Sequence, residues 1–491
     1  MNDPARNGGP DGGLIRGIGL GSAVGLNMID MIGVGPFITI PLIVSAMGGP
    51  QALAGWIAGA LLAMCDGLVW AELAAAIPGT GGSYRYLREI YNPETAGRLF
   101  AFLFLWQLSF SAPLSIASGC VGLAQYASYL WPALAPPLFR IPLGIPLQIL
   151  GGLQGTLEIS GATFIAMSAC AAAVFLLYRR ITVVTRVTNF LWIGVCLTIL
   201  WIIATGVAHF DRHLAFSFPD GAFSLSSGFL TGLGAGMLVA VYDYWGYYNI
   251  CFLAGEVRRP ERTIPRAILI SIALVSVLYL TMNLSILGSL PWQQIIASTH
   301  SESYRYLIAV FMERFYGGTG ASIATVLIMW TAFASVCSLL LGYSRIPYAA
   351  AREGDYFRLF SAVHPKDQFP TVSLLMLGGV AVLFCFFRLA DLIAALVVIR
   401  IVIQFITQTI GLVVYRFRRP AAERPFRVWL YPLPVLLTLA GFSYILFMRK
   451  NFLQEFRYAV VLIIAGSVIF LIRSKRTGLW PFRPSGAPSG K

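Results

Sequence analysis

The sequence predicts an all-α integral membrane protein of about twelve transmembrane helices. They form an inverted five-plus-five repeat with broken helices 1 and 6, plus two extra C-terminal helices. Three observations predict this. The 491 residues are 57% hydrophobic and only 11% charged, whereas a soluble domain carries about 25% charged residues. Apolar stretches near the ~20 residues needed to cross a bilayer recur along the chain. Two of them, LNMIDMIGVGPFITIPLIV at 26–44 and GLGAGMLVAVYDYWGYYNICFLAGEV at 232–257, are interrupted midway by Gly or Pro beside polar and aromatic residues. Such interruptions at corresponding places in two halves mark the binding site of a secondary transporter. Unwound backbone survives at membrane depth only where protein or a cavity surrounds it.

In chain order the predicted spans lie near 18–44, 51–76, 97–130, 160–178, 187–207, 228–253, 265–288, 320–344, 371–387, 390–414, 430–448 and 457–473. The third is long and carries Pro113, which predicts a tilt or kink. The stretch 141–153 is short and rich in Pro and Gly, and reads as an outer loop or re-entrant piece. After span 8, an Ala run and then Glu-Gly-Asp predict a short interfacial helix. Residues 1–15 read as a disordered cytoplasmic tail without signal-peptide features. A single membrane domain follows over 16–475: a first repeat at about 16–207, a second at about 228–414, and the extra helices at 430–473. Residues 476–491 read as a second cytoplasmic tail. The second broken span comes five spans after the first, so the second half enters the membrane in the opposite sense.

The net charge of +14 follows the membrane rather than a nucleic-acid partner. With the N-terminus inside, the inner segments hold 26 of the 35 Lys and Arg residues, the outer loops hold 8, and Arg400 alone lies within a span. This is the positive-inside pattern. It predicts cytoplasmic termini in a plasma (inner cell) membrane whose anionic leaflet faces the surplus charge. All seven cysteines fall in spans without a CxxC pair, so neither disulfides nor a metal site is expected. No cofactor is implied. The four histidines lie in loops, and no HExxH or GxSxG motif is present. That weighs against a membrane-embedded enzyme with catalytic residues. A channel would need a repeated filter motif, and none is visible. The expected partners are a small-molecule substrate and the lipid bilayer; oligomeric state is not legible.

The two breaks supply the candidate site. Gly33 and Gly35 let the backbone unwind and approach a ligand, and Pro36 suits the first position of the following half-helix. The amides of Val34, Gly35 and Phe37 then mark a half-helix N-terminus suited to a carboxylate. Pro36 removes one donor and Val34 offers no hydroxyl, which weakens that binding. The plainer alternative is a packing kink. At the second break, Tyr242, Asp243, Tyr244, Trp245 and Gly246 gather a carboxylate, aromatic faces and freed carbonyls suited to an ammonium. An interfacial aromatic belt is the alternative, though these residues lie near mid-depth.

Other charges at membrane depth are Asp30, Asp66 and Arg400. Asp30 and Arg400 read either as a buried structural ion pair or as a proton-coupling device. Glu72 is expected to pair with a loop arginine such as Arg85. Gln107, Ser335, Ser338, Gln404 and Gln408 line the path or glue helices together.

Five segments carry a family resemblance: GVGPFITIP at 33–41, AELAAAIPGTGGSYRYLREIY at 71–91, LAGEVRRPERTIPRAI at 253–268, YSRIPYAAAREGDYF at 343–357 and ERPFRVWLYPLP at 423–434. In this order they resemble amino acid permeases of the amino acid–polyamine–organocation superfamily, from about residue 15 to about 475. Val34 and Pro36 depart from the usual residues, and with LAGEV they are closer to the polyamine-transporting branch. The resemblance places Tyr242 at the gating aromatic. It also places Val195 where many proton-linked members carry Lys. The implied function is a secondary active transporter for amino acids or related amines, working by alternating access, proton-linked or exchanging. A polyamine permease is the alternative.

Overall fold

The computed structural model describes residues 14–142, 156–299, 306–387, 398, 400–449 and 452–482. Most of both predicted tails, and all of the 141–153 stretch beyond its first two residues, lie outside them.

The first span is two helices. α1 (Leu20–Met31) ends at the glycine-bearing segment 32–34, and α2 (Gly35–Met47) resumes at an angle of 49°. Pro36 stands in the first turn of α2, where its missing N–H breaks no helical bond. α3 (Ala52–Ala76) is the second span, and α4 (Ser83–Ile90) is a short helix in the loop after it. α5 (Ala96–Leu130) runs 35 residues through Pro113. That is roughly 50 Å of helix at 1.5 Å per residue, longer than the bilayer core.

A two-stranded antiparallel ladder follows, β1 (Pro137–Pro142) with β2 (Thr156–Ser160). The chain therefore leaves and re-enters this ladder at the same end. α6 (Gly161–Leu177) and α7 (Ile181–Ala208) are spans 4 and 5, and α8 (Arg212–Ala215) is a single turn.

The sixth span is broken as predicted. α9 (Ser227–Tyr244) stops at Trp245–Tyr248, where Gly246 has φ 125°, a conformation that favours glycine. α10 (Asn249–Phe252) resumes for one turn. α11 (Pro260–Leu287) is span 7, and the short α12 (Trp292–Ser298) precedes α13 (Leu307–Arg352), which bends at Gly317. The Ala run after span 8 does not form a separate interfacial helix. It continues α13 to Arg352, and one 3-10 turn at Arg358–Ser361 follows. α14 (Thr371–Phe384) is span 9. A π-helical stretch, Ile401–Ile406, leads into α15 (Thr407–Arg418), and α16 (Leu433–Phe447) and α17 (Phe452–Thr477) complete the chain. Five single helices among the described residues are long and apolar enough to cross a membrane; the bent α1–α2 pair is a sixth, and three shorter apolar helices stand at spans 4, 9 and 11.

Small residues bring the inner helices together. Gly59 of α3 lies so close to Ala240 of α9 that a Cβ there would come within 2.8 Å of the Ala240 Cβ. Large apolar side chains on the outside, among them Leu61, Phe175 and Phe190, are exposed, as a lipid-facing surface requires.

One end of the bundle is fastened by charge. Glu256 and Arg345 form a fully buried pair at 3.0 Å. The carbonyl of Glu256 accepts from the amides of Gly17 and Ile18, and Arg258 N donates back to Ile18 O. Nearby, Asp355 receives Arg88 at 2.9 Å, Arg98 at 2.7 Å and the Tyr84 hydroxyl at 2.7 Å. Glu72 does not take the expected loop arginine. It binds Arg416 of α15 through two contacts at 2.9 and 2.5 Å, and the amide of Val428 at 2.6 Å. A fully buried carboxylate accepts three donors there, from a segment more than 300 residues away.

Candidate functional site

Both breaks are held open by side chains that replace lost helical hydrogen bonds. Asn27 of α1 donates from Nδ2 to the carbonyl of Tyr247 at 2.6 Å and accepts from the amide of Ile250 at 3.1 Å. One amide side chain thus satisfies a free acceptor and a free donor of the second break. Asn249 donates to the carbonyl and hydroxyl of Ser338, whose own hydroxyl donates to Leu26 O at 3.0 Å. The Tyr279 hydroxyl reaches Met31 O at 2.6 Å and Asp243 O at 3.2 Å, bridging the two breaks. Gly246 lies directly on the backbone of Asp30 and Met31, a space that no Cβ fits.

Between the breaks lies a cavity of about 110 Å³. Gly33, Val34 and Gly35 of the first break line it together with Tyr242, Asp243, Trp245 and Gly246 of the second. The amides of Gly33, Val34 and Gly35 find no acceptor among the described residues. They sit at the start of α2, where helix polarity favours an anion. Asp243 is 3% exposed. Its Oδ2 accepts from the Thr39 hydroxyl at 2.5 Å, while Oδ1 lies against Gly35 without a hydrogen-bond partner among the described residues. A buried carboxylate oxygen left unmatched is costly, and a ligand ammonium would relieve it. The Tyr242 ring faces this space, with its hydroxyl 3.5 Å from that of Ser118 on α5.

Asp30 and Arg400 line the same cavity. Among the described residues no ion pair joins them, so the directly paired arrangement weighed from sequence is not present. Arg400 donates to Ser115 Oγ at 2.8 Å and Ser111 O at 3.2 Å, and its guanidinium stands over the rings of Trp245 and Tyr343.

Two sequence candidates fall outside the cavity lining. The Phe37 amide is engaged by Val34 O at 3.2 Å, and its side chain is fully buried. Tyr244 is buried against Trp56 and Tyr279. Each follows a lining residue by one or two positions, so the helical turn carries it to another face. Ser335 lines the cavity, whereas Ser338 is engaged as above, Gln107 accepts from Ser111 and Gln408 accepts from Ser83. Asp66 is engaged by the Tyr247 hydroxyl at 2.5 Å. Val195 is fully buried. Sequence reasoning missed Thr39, Asn27, Ser115 and Tyr343. Thr39 and Asn27 carry only a hydroxyl or amide within two turns of the first break as a signal, and Ser115 and Tyr343 lie on other helices with no local signal.

The sequence model of a family described as "Amino acid permease" matches residues 18–470. Among curated proteins, the serine/threonine exchanger SteT of Bacillus subtilis (strain 168) is 25% identical over 444 residues, covering 89% of this chain and 91% of that protein. The branched-chain amino acid permease BcaP of the same organism is 24% identical over 465 residues, covering 94% and 91%. The cystine/glutamate transporter of Homo sapiens is 25% identical over 431 residues, covering 87% and 78%.

Proposed function

The chain belongs to the amino acid permease family, and from that premise we propose that it carries amino acids across the membrane by alternating access. The observation that carries this reading is the pairing of opposite demands across one cavity. The free amides of 33–35 call for a carboxylate, and the unmatched Oδ1 of Asp243 calls for an ammonium. A zwitterion meets both at once. The domain reading of two inverted repeats over 16–475 fits the two breaks, and alternating access follows if one repeat rocks against the other around the site. The charge asymmetry supports cytoplasmic termini in the plasma membrane.

We extend the proposal to coupling. Val195 supplies no internal cation, and Ser338 is committed to Leu26 and Asn249, which leaves a poor oxygen cage for sodium. Asp30, adjoining the first break and facing the cavity, is the proton-titrating group of this reading; obligatory exchange is the other mode it allows.

One observation favours a second reading. Asp243 Oδ1 lies against Gly35, at the half-helix end where a substrate carboxylate would dock. A polyamine or a decarboxylated amine, with no carboxylate of its own, suits a site whose anion is already built in.

Counterflow in sodium-free proteoliposomes tests the proposal. Liposomes preloaded with an unlabelled amino acid should accumulate the labelled one transiently. Counterflow with amines alone would favour the second reading, and continuous leak without saturation would indicate a channel.

A further inference from the structure

Two opposite charges that form no ion pair with each other line the cavity. Asp30 lies one turn before the first break and accepts no hydrogen bond from the described residues, yet it lines the cavity. Arg400 is 3% exposed and directly precedes the π-helical stretch Ile401–Ile406, a distortion often found at functional sites. One of its terminal nitrogens is taken by Ser115 and Ser111, while Nε has no partner among the described residues. Each charge acts on the other across the space between them, and the Tyr343 and Tyr248 side chains stand beside both.

Had the two formed a close ion pair, structure alone would account for them. Kept apart, Asp30 has no hydrogen-bond donor among the described residues and Arg400 is only partly satisfied, by Ser111, Ser115 and two aromatic faces, and charges at membrane depth without a full partner point to use. We infer that Asp30 and Arg400 form the side-chain subsite of this cavity, and that it selects amino acids with a short uncharged side chain that both donates and accepts hydrogen bonds: a hydroxyl or a carboxamide. The inference rests on the amino acid reading above and deepens it.

The selection is electrostatic. An acidic side chain gains Arg400 but is repelled by Asp30; a basic one gains Asp30 but is repelled by Arg400. An aliphatic side chain leaves both charges buried without compensation, the kind of mismatch a polar site rejects most strongly. A hydroxyl or carboxamide donates to Asp30 and accepts from Arg400, and a cavity of about 110 Å³ keeps it short.

The test is exchange at fixed pH, without a pH gradient, against serine, glutamine, glutamate, lysine and leucine. Wild type should prefer serine or glutamine over the other three by at least about tenfold. Asp30→Asn should shift the preference toward glutamate, and Arg400→Gln should shift it toward lysine. The wild-type ranking does not depend on whether the variants fold. A wild type that prefers glutamate, lysine or leucine overturns the inference, as do variants that exchange with unchanged selectivity. Exchange of none of the five, with exchange of amines instead, removes the amino acid reading itself and this inference with it.

Discussion

Thr39 donates its hydroxyl to Oδ2 of Asp243 at 2.5 Å, joining the half-helix that follows the first break to the helix that precedes the second. One charged hydrogen bond therefore fixes the rotamer of the carboxylate and sets the spacing of the two breaks. Its other oxygen lies against Gly35 and has no hydrogen-bond partner among the described residues.

Asp243→Asn keeps the size of the side chain and removes its charge. Substrate affinity should fall about tenfold or more, since hydrogen bonds to charged groups are worth about 1.5–3 kcal/mol. Thr39→Val should weaken binding by the same mechanism, through a carboxylate no longer held in place. Equilibrium binding to the purified protein measures both.

Asn27→Leu removes the staple of the second break. It orphans the Tyr247 carbonyl and the Ile250 amide, each buried, at about 1–3 kcal/mol apiece. The variant should melt at a clearly lower temperature in detergent, and saturating substrate should restore only part of the loss.

Glu256→Gln leaves Arg345 buried without its counter-charge. Breaking one member of a buried pair costs about 3–5 kcal/mol, and the double variant Glu256→Gln/Arg345→Met should recover part of it. Because Glu256 also anchors Gly17 and Ile18 through its carbonyl, which the substitution keeps, any residual closure of this end should persist. Thermal denaturation of Glu256→Gln, Arg345→Met and the double variant checks the non-additivity.

The orientation follows from the charge asymmetry. In a background lacking the native cysteines, Ser224→Cys and Lys366→Cys place single thiols at accessible loop positions in different loops. An impermeant thiol reagent applied outside intact cells should label position 224 and spare 366. Labelling of 366 would reverse the assigned topology.

Coupling is tested by an inward pH gradient imposed without sodium. It should drive accumulation in wild type, and Asp30→Asn should lose the gradient dependence while keeping exchange. Accumulation that requires a sodium gradient would contradict the assignment.

The sequence made the breaks legible because Gly33, Gly35 and Gly246 interrupt apolar runs that have no other reason to contain them. Asp30, Asp243 and Arg400 were equally visible, as charges where lipid forbids them unless they are used or paired. What could not be read was facing. Phe37 and Tyr244 sit beside lining residues but turn away into the packed interior, Tyr244 against Trp56 and Tyr279. Nor could sequence pair Glu72 with Arg416, since nothing local distinguishes one inner arginine from another. Thr39, Asn27 and Tyr279 carry the finest positioning in the site. Thr and Asn elsewhere in the same chain bond to their own helix, as Thr185 and Asn283 do.

The central claim is that one ligand brings a carboxylate to 33–35 and an ammonium to Asp243. Binding of an amino acid, its methyl ester and its decarboxylated amine to the purified protein tests it most directly. The amino acid is chosen as the strongest stabiliser in a thermal-shift screen. The account predicts that the intact amino acid binds and that the ester and the amine each bind at least about tenfold more weakly, one charged contact being lost in each. An amine or polyamine that binds as tightly as the amino acid, or more tightly, would contradict it.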